Sequence, residues 1–401
     1  MIESWSIELG KAIGKFFLNP LFYWSFIFLF LIGYARIKLE RVNFGTKVFN
    51  LFSEWKNTWL FSISYGLFIS LICLGVGVVF SVETLVLMSA IIILLSLTFK
   101  VSLLSPSYTV GVTFIVLLFL PILLSEQQWV DANLFTNINF TGLTIILALF
   151  IFAEAIMLIR IKRNETLPSL TLSNRGSWIG QHHVKKLALI PFLTLVPTGA
   201  ITSIAPFWPY IPLGSEETYS LIAVPFLIGF DYKVIGSLPQ TVAKHLGKQT
   251  FLLGFLVLVL AIGSIYVSPL SLAAIIIAII GKEFINYKFR TKDKEQSPYF
   301  YQEENGLRIL SMIPGTPATR LQIRVGEIII KVNERTISNV EDFYYALQEK
   351  GAHFKLEVMD DKGEIRFIQG AMYEGDHHEL GLIFTDSPFR EKNQHEKQEV
   401  V

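Results

Sequence analysis

Seven histidines, one cysteine and two carboxylates in apolar surroundings are the groups with which this 401-residue chain could do chemistry. A zinc protease working inside a membrane needs H-E-x-x-H, because histidines at i and i+4 share one helix face with a glutamate between them as general base. His182, His183, His245, His353, His377, His378 and His395 do not supply that pattern, and "HHEL" at 377–380 lacks the second histidine at the required spacing. The two doublets are read as surface or interfacial residues. A serine hydrolase needs its nucleophile on a shaped turn beside an oxyanion hole, and no Gly-x-Ser-x-Gly occurs. Cys73 lies in an apolar run with no predicted histidine partner, and a single cysteine excludes a disulfide within the chain. There is no P-loop. The residues therefore point to no catalytic group, no metal and no cofactor. Glu154 in "FAEAIM" and Asp231 in "GFDYK" are different. Ionisable groups within membrane segments can mark an ion or proton path. Both sit toward one end of their apolar runs, within reach of interfacial water or a nearby basic loop.

The elements that must position these groups are set by composition. The chain is 52% hydrophobic and 17% charged, with 33 phenylalanines and a mean hydropathy of +0.50. Soluble domains carry about a quarter charged residues, so the expectation is a multi-pass membrane protein. Apolar runs long enough to span as helices lie near 18–35, 59–80, 84–100, 108–124, 140–161, 187–208, 219–236, 251–267 and 269–286. The run at 219–236 is the weakest, since it contains Pro225 and Asp231, and the last two are joined by a tight "SP" hairpin. Pro121, Pro191, Pro197 and Pro225 are expected to kink spans. Residues 1–17 form an N-terminal segment, and the Leu18–Tyr34 run is read as a retained anchor rather than a cleaved signal.

Charge then orients the bundle. Loop 36–58 carries Arg36, Lys38, Arg41, Lys47 and Lys56; loop 161–186 carries Lys162, Arg163, Arg175, Lys185 and Lys186; loop 237–250 carries Lys244 and Lys248. Loops 125–139 and 209–218 have no Lys or Arg, only Glu126, Asp131, Glu216 and Glu217. The positive-inside rule places the basic loops, and with them the C-terminus, in the cytoplasm. Lys11 and Lys15 leave the side of the N-terminus open between eight and nine spans. A charged linker at 287–305 follows, read as a stop-transfer segment attracted to anionic membrane lipid. The formal net charge of +1 gives no ground for a nucleic-acid partner. Residues 386–401 are charged, lack apolar periodicity and are expected to be disordered.

Residues 306–385 change character, with short alternating strands and one helical pattern at 339–350, "NVEDFYYALQEK". The stretch "GLRILSMIPGTPATRLQIRVGEIIIKVNERTI" resembles a PDZ domain of the bacterial form. Pro314, Gly315, Thr316, Pro317 and Ala318 supply its turn and helix start, Pro317 suiting a first helical turn. Gly326 and Glu327 stand where Gly-Asp is usual, Ile328–Ile330 form the strand, and Val332 and Asn333 follow. Gln322, Glu327 and Glu334 depart from the family's Gly, Asp and Gly. Together the apolar runs and this resemblance give the expected fold class: a polytopic α-helical membrane protein of about eight to nine spans with a C-terminal α+β PDZ-like domain. It also implies binding of an extended peptide as an added strand. No Gly-Leu-Gly-Phe-type carboxylate loop precedes Gly306, so Glu379, Leu380, Gly381, Leu382, Ile383 and Phe384 are assigned as the loop and groove strand. That makes the strand order circularly permuted relative to the animal arrangement. The opposite wall is Val340, Tyr344 and Leu347, at i, i+4 and i+7, with Phe343 as core. The plainer reading, in which "LGLIF" only closes the core, stands beside it.

The whole arrangement, spans followed by a basic linker and one PDZ-like module, resembles the MinJ family of cell-division topological determinants of Gram-positive, Bacillus-type bacteria. That resemblance implies a non-enzymatic scaffold at the division septum and cell poles of the cell membrane. Its partners would be a DivIVA-type coiled-coil protein, a MinC–MinD type division inhibitor and other septal membrane proteins. Two alternatives remain open on the residues alone: an intramembrane protease or its regulator, and a transporter with a regulatory PDZ-like domain.

Overall fold

The computed structural model describes residues 2–124, 137–173, 175–205, 207–214, 218–349, 353–371, 380–386 and 388–389. Glu126, Asp131, Glu216, Glu217, His377, His378, Glu379, His395 and most of the charged tail lie outside them. Helix α1 (Ile2–Leu18) turns at Asn19 into α2 (Pro20–Phe44), where the Asn19 side chain accepts from Leu21 N at 2.9 Å and Pro20 takes the first helical position. Then come α3 (Trp59–Val76), the short α4 (Val82–Ser96), α5 (Pro106–Leu124) and α6 (Phe140–Ile159). After a three-stranded antiparallel sheet, β1 (Leu167–Leu172), β2 (Trp178–Thr202) and β3 (Thr218–Val234), the helices α7 (Pro239–Gly263) and α8 (Pro269–Glu295) complete the bundle.

Among the described residues, six helices are long and apolar enough to cross a membrane, namely α2, α3, α5, α6, α7 and α8; α4, at 15 residues, is apolar but shorter. The expectation of eight to nine helical spans is corrected at 187–208 and 219–236. These runs belong to β2 and β3, paired antiparallel from His182↔Val234 to Pro197↔Tyr219. Hydropathy reports how apolar a segment is, not its period. A strand buried on both faces loses its polar alternation and reads as a continuous apolar run. Pro191, Pro197 and Pro225 therefore sit in strands, with Pro191 directly opposite Pro225, while Pro121 lies inside α5.

A hairpin inside a helical bundle must find partners for its backbone edges. Helix α3 covers one edge of β2: Ser70 Oγ accepts from Leu193 N at 2.8 Å, and Gly66 lies so close that an added Cβ would stand 2.0 Å from Pro191 O. The chain after α3 continues along the same edge, Phe80 N donating to Leu195 O at 2.9 Å and Thr194 Oγ1 to Val78 O at 2.9 Å. Asn139 caps α6 through Gly142 N (2.8 Å) and donates to Val79 O (2.9 Å), tying the central helix to this edge. Apart from Glu154, helix α6 is apolar all round, and it is buried nearly all round, as a helix at the centre of a bundle must be; its Phe150 stacks on Phe226 of β3 at 3.7 Å.

The two carboxylates singled out in apolar runs are both paired. Glu154 of α6 forms a buried ion pair with Lys282 of α8 and accepts from Ser105 Oγ at 2.6 Å. Lys282 Nζ also donates to Tyr232 OH at 2.9 Å. Asp231 pairs with His183 Nδ1 at 2.9 Å. Glu154 thus meets a cation 128 residues away in sequence rather than interfacial water or a basic loop.

Helix α8 runs on through Glu295, so the first half of the 287–305 stretch is helical. The C-terminal module is β4 (Leu307–Met312), α9 (Pro317–Arg320), β5 (Ile328–Val332), β6 (Arg335–Thr336), α10 (Val340–Glu349), β7 (His353–Met359), β8 (Ile365–Ala371) and β9 (Leu382–Phe384). Its sheet has the order β8-β7-β5-β4-β9, with β6 on β5.

Breaking the buried pair on one side leaves a lone charge, and that is the costly change. Lys282→Met is expected to lower the stability of the full-length protein in detergent by about 3–5 kcal/mol. Glu154→Leu/Lys282→Met should recover most of that loss. Thermal unfolding of wild type and the two variants side by side checks it: a single variant that melts with wild type would show that the pair contributes nothing, and a double variant that melts as low as the single one would show that the lone carboxylate is not the cost.

Candidate functional site

Strand β9 closes the module's sheet at one edge, antiparallel to β4, with Ile309↔Phe384, Ser311↔Ile383 and Met312↔Leu382 opposite one another. Its other edge carries no strand among the described residues. Helix α10 lies alongside, held by the Phe343 and Phe384 rings at 5.2 Å and 69°. Val340 and Tyr344 are half-buried on α10, whereas Phe343 and Leu347 are fully buried in the module core. The structure thus brings Leu380–Phe384 and the α10 side chains together around one edge strand. Glu379 lies outside the described residues.

The turn motif forms the floor next to this edge. Ile313 N donates to Gly381 O at 2.9 Å and Ala318 N to Leu380 O at 3.0 Å, so the Pro314–Ala318 segment is bonded to the start of β9. Gly381 has φ +83°, and a Cβ there would stand 2.2 Å from Thr316 Oγ1. Substituting Gly381, or the buried Leu382, therefore perturbs the fold itself. Val340 and Tyr344, of the expected groove wall, are only half-buried.

The three departures from the PDZ pattern acquire physical content. Gln322 (φ +54°) and Glu334 (φ +73°) occupy left-handed backbone where glycine is free of strain. Glu327 is buried, and its Oε2 accepts from Arg324 N at 2.9 Å and Arg366 Nη2 at 2.6 Å, work that the longer side chain still reaches. Asn333 pairs with both backbone groups of Lys355 and donates to Ala346 O at 2.8 Å, locking β5, β7 and α10 together.

The module is docked on the bundle through contacts that periodicity does not announce. Arg163 donates to Val325 O (2.5 Å) and holds Asp361 with both terminal nitrogens (2.5 and 2.6 Å); Asn164 exchanges bonds with Ile323 O (3.2 Å) and Val325 N (3.1 Å). Val48, Phe49, Leu167 and Phe300 bury against Leu310, Val325 and Ile383 of the module. Arg36 organises this platform from below, bridging Glu40 (2.5 Å) and Glu54 (2.9 Å), while Glu40 accepts from Val48 N at 2.8 Å. His182 is a correction: read as surface or interfacial, it is fully buried under Phe300 and bonded to Thr166 Oγ1 at 2.9 Å. Burial pushes its imidazole down to about 3, so it is neutral at physiological pH. The signal for this interface was present only as the odd density of Arg, Asn and His in the 160–186 loop.

A family model described as PDZ domain matches residues 308–358, which cover β4 through most of β7 and stop short of β9. Over 387 residues, 96% of this chain and 97% of the relative, the sequence is 36% identical to the cell division topological determinant MinJ of Bacillus subtilis (strain 168). It is also 28% identical over 80 residues, 20% of this chain and 22% of the relative, to the probable cell division topological determinants MinJ of Lacticaseibacillus paracasei and of Lacticaseibacillus casei (strain BD-II).

Left-handed backbone costs a non-glycine residue about 1–2 kcal/mol. Gln322→Gly and Glu334→Gly are each expected to stabilise the module by about 1 kcal/mol, read as slower amide exchange across β5 and β7 in the full-length protein. Unchanged or faster exchange would mean that these side chains repay the strain elsewhere.

Proposed function

The chain belongs to the MinJ family of cell division topological determinants, and from that premise we propose that it is a membrane-anchored adaptor rather than an enzyme. The observation that carries this reading is the extent of the similarity, which runs through bundle and module alike. The basic loops support a cytoplasmic position for the module, because Lys56, Arg163 and Lys186 gather at the end of the bundle where it docks. In this role the protein sits at the septum and cell poles and recruits a MinC–MinD type inhibitor to a DivIVA-type protein. Other septal membrane proteins are further contacts. An extended partner segment adds to the free edge of β9, with Val340 and Tyr344 contacting its side chains and Leu380–Leu382 receiving its end.

Pairing of Glu154 with Lys282 and of Asp231 with His183 favours this reading over transport, which needs such carboxylates available to an ion.

A fluorescent fusion is expected to concentrate at septa and poles, and deletion of the gene should delocalise the division inhibitor and lengthen the cells. Val340→Ser/Tyr344→Ala should reproduce the delocalisation with the fusion still in the membrane at normal abundance. Diffuse membrane fluorescence with normal cell length would sink the division role. Normal inhibitor localisation in the groove variant would place the contact elsewhere on the protein.

A further inference from the structure

A cavity of about 500 Å³ opens between β3, α8 and the turn after α4. Its rim carries Lys100, Lys233, Arg290 and Lys294, all exposed, and none makes an ion pair among the described residues. The carboxylates that line it are already engaged. Asp231 holds His183, Glu154 holds Lys282 and Ser105, and Asp293 accepts from the backbone N–H groups of Ile235 (3.1 Å) and Gly236 (3.0 Å). Four cations thus face one cavity with no ion pair of their own among the described residues, and together with Lys282 they outnumber its three carboxylates, Glu154, Asp231 and Asp293. Deeper inside, Asn286 is buried, its Oδ1 has no hydrogen-bond partner among the described residues, and its Nδ2 donates to Tyr108 OH at 3.0 Å. Phe99, an exposed ring, and Phe289 add apolar surface to the same lining.

The depth of the cavity also fits an interfacial ligand. Lys282 lies within the apolar part of α8, and Arg290 and Lys294 follow two and three turns later, about 12 and 18 Å along the axis. The lining therefore passes from the edge of the hydrocarbon into the headgroup layer.

We propose that this cavity binds a phosphate-bearing anion, supplied in the membrane by the headgroup of an anionic, hydroxylated phospholipid. The phosphate sits among Lys100, Lys233, Arg290 and Lys294. A headgroup hydroxyl donates to Asn286 Oδ1, and the acyl chains leave past Phe99 and Phe289. Basic pockets between membrane helices recognise anionic headgroups by this charge arrangement. General attraction of a basic segment to a membrane predicts only that total charge matters. A built site predicts that position matters.

The test uses full-length protein in detergent, with bound lipid read by native mass spectrometry after addition of phosphatidylglycerol or phosphatidylcholine. Phosphatidylglycerol is expected to be retained and phosphatidylcholine lost. Each cation near an anionic headgroup contributes roughly a fivefold factor, so Arg290→Gln/Lys294→Gln should weaken retention by about tenfold or more. Lys244→Gln/Lys248→Gln removes the same charge from α7, outside the cavity, and should leave retention unchanged. Displacement of the lipid by millimolar inorganic phosphate, with the same sensitivity to the first variant, would identify a soluble phosphate as the occupant. Persistence of the lipid in phosphate identifies the headgroup. Equal retention of the two lipids without phosphate binding, or equal loss in the two double variants, would overturn the proposal.

Discussion

The constraint on which this architecture turns is that strands buried in an apolar bundle cannot leave backbone groups unpaired. Each orphaned N–H or C=O in such surroundings costs several kcal/mol. The β2–β3 hairpin satisfies most of its groups internally, and the remaining β2 edge dictates what surrounds it. Helix α3 must come close enough for Ser70 to meet Leu193 N, which is why Gly66 rather than a larger residue faces Pro191 O. The chain from Val78 to Phe80 must then turn alongside Thr194 and Leu195 instead of leaving the bundle, and Asn139 must reach back to hold that turn to α6. One pairing requirement thereby fixes three of the bundle's packing relationships.

The same hairpin determines where the soluble module goes. Strand β2 extends beyond the packed helices, and its first residues pair with β1 to form a ledge that receives Phe300 through the Gly180 N–H. Charge on this side of the molecule divides into two populations. Arg36, Arg163, Lys186 and Lys282 are consumed in pairs that build the platform or the bundle, so their presence says little about an external partner. Lys100, Lys233, Arg290 and Lys294 make no ion pair among the described residues and line one cavity. Counting basic residues loop by loop treats both populations alike, and only geometry separates them.

How much was legible in the sequence follows from the range of each interaction. The module's turn, short helix and central strand could be read because Pro317 and Gly326 act through their own backbone conformation, whereas the bonds of Asn333 to Ala346 and Lys355 were out of local reach. Even the departures at Gln322 and Glu334 marked real positions of left-handed backbone. The long helices were legible because length and apolarity suffice to find them. The hairpin was not, since burial on both faces erased its two-residue period, and prolines at 191, 197 and 225 are as compatible with kinked helices as with strands. The Glu154–Lys282 pair and the Arg163–Asp361 contact span 128 and 198 residues, and no local pattern carries such information. Beside the expected groove, β9 closes the core as the plainer reading has it, and it is the last strand of its sheet among the described residues.

The alternation of β9 shows why those two roles coexist. Leu382 and Phe384 point into the module core with Phe343, while Ile383 points the other way, onto Val48, Phe49 and Phe300 of the platform. Successive residues of a strand face opposite sides, so a three-residue strand has nothing left over for a ligand except its backbone edge. Any segment that extends this sheet must take affinity from main-chain bonds along β9 and its selectivity from the α10 side chains. It would also lie beside the seam between module and bundle, where β4 alternates in step, Ile309 inward and Leu310 onto the platform. An occupant of that edge would therefore bear on the same two strands as the fit of the module on its platform, with Ile383 facing the platform and Leu382 the module core.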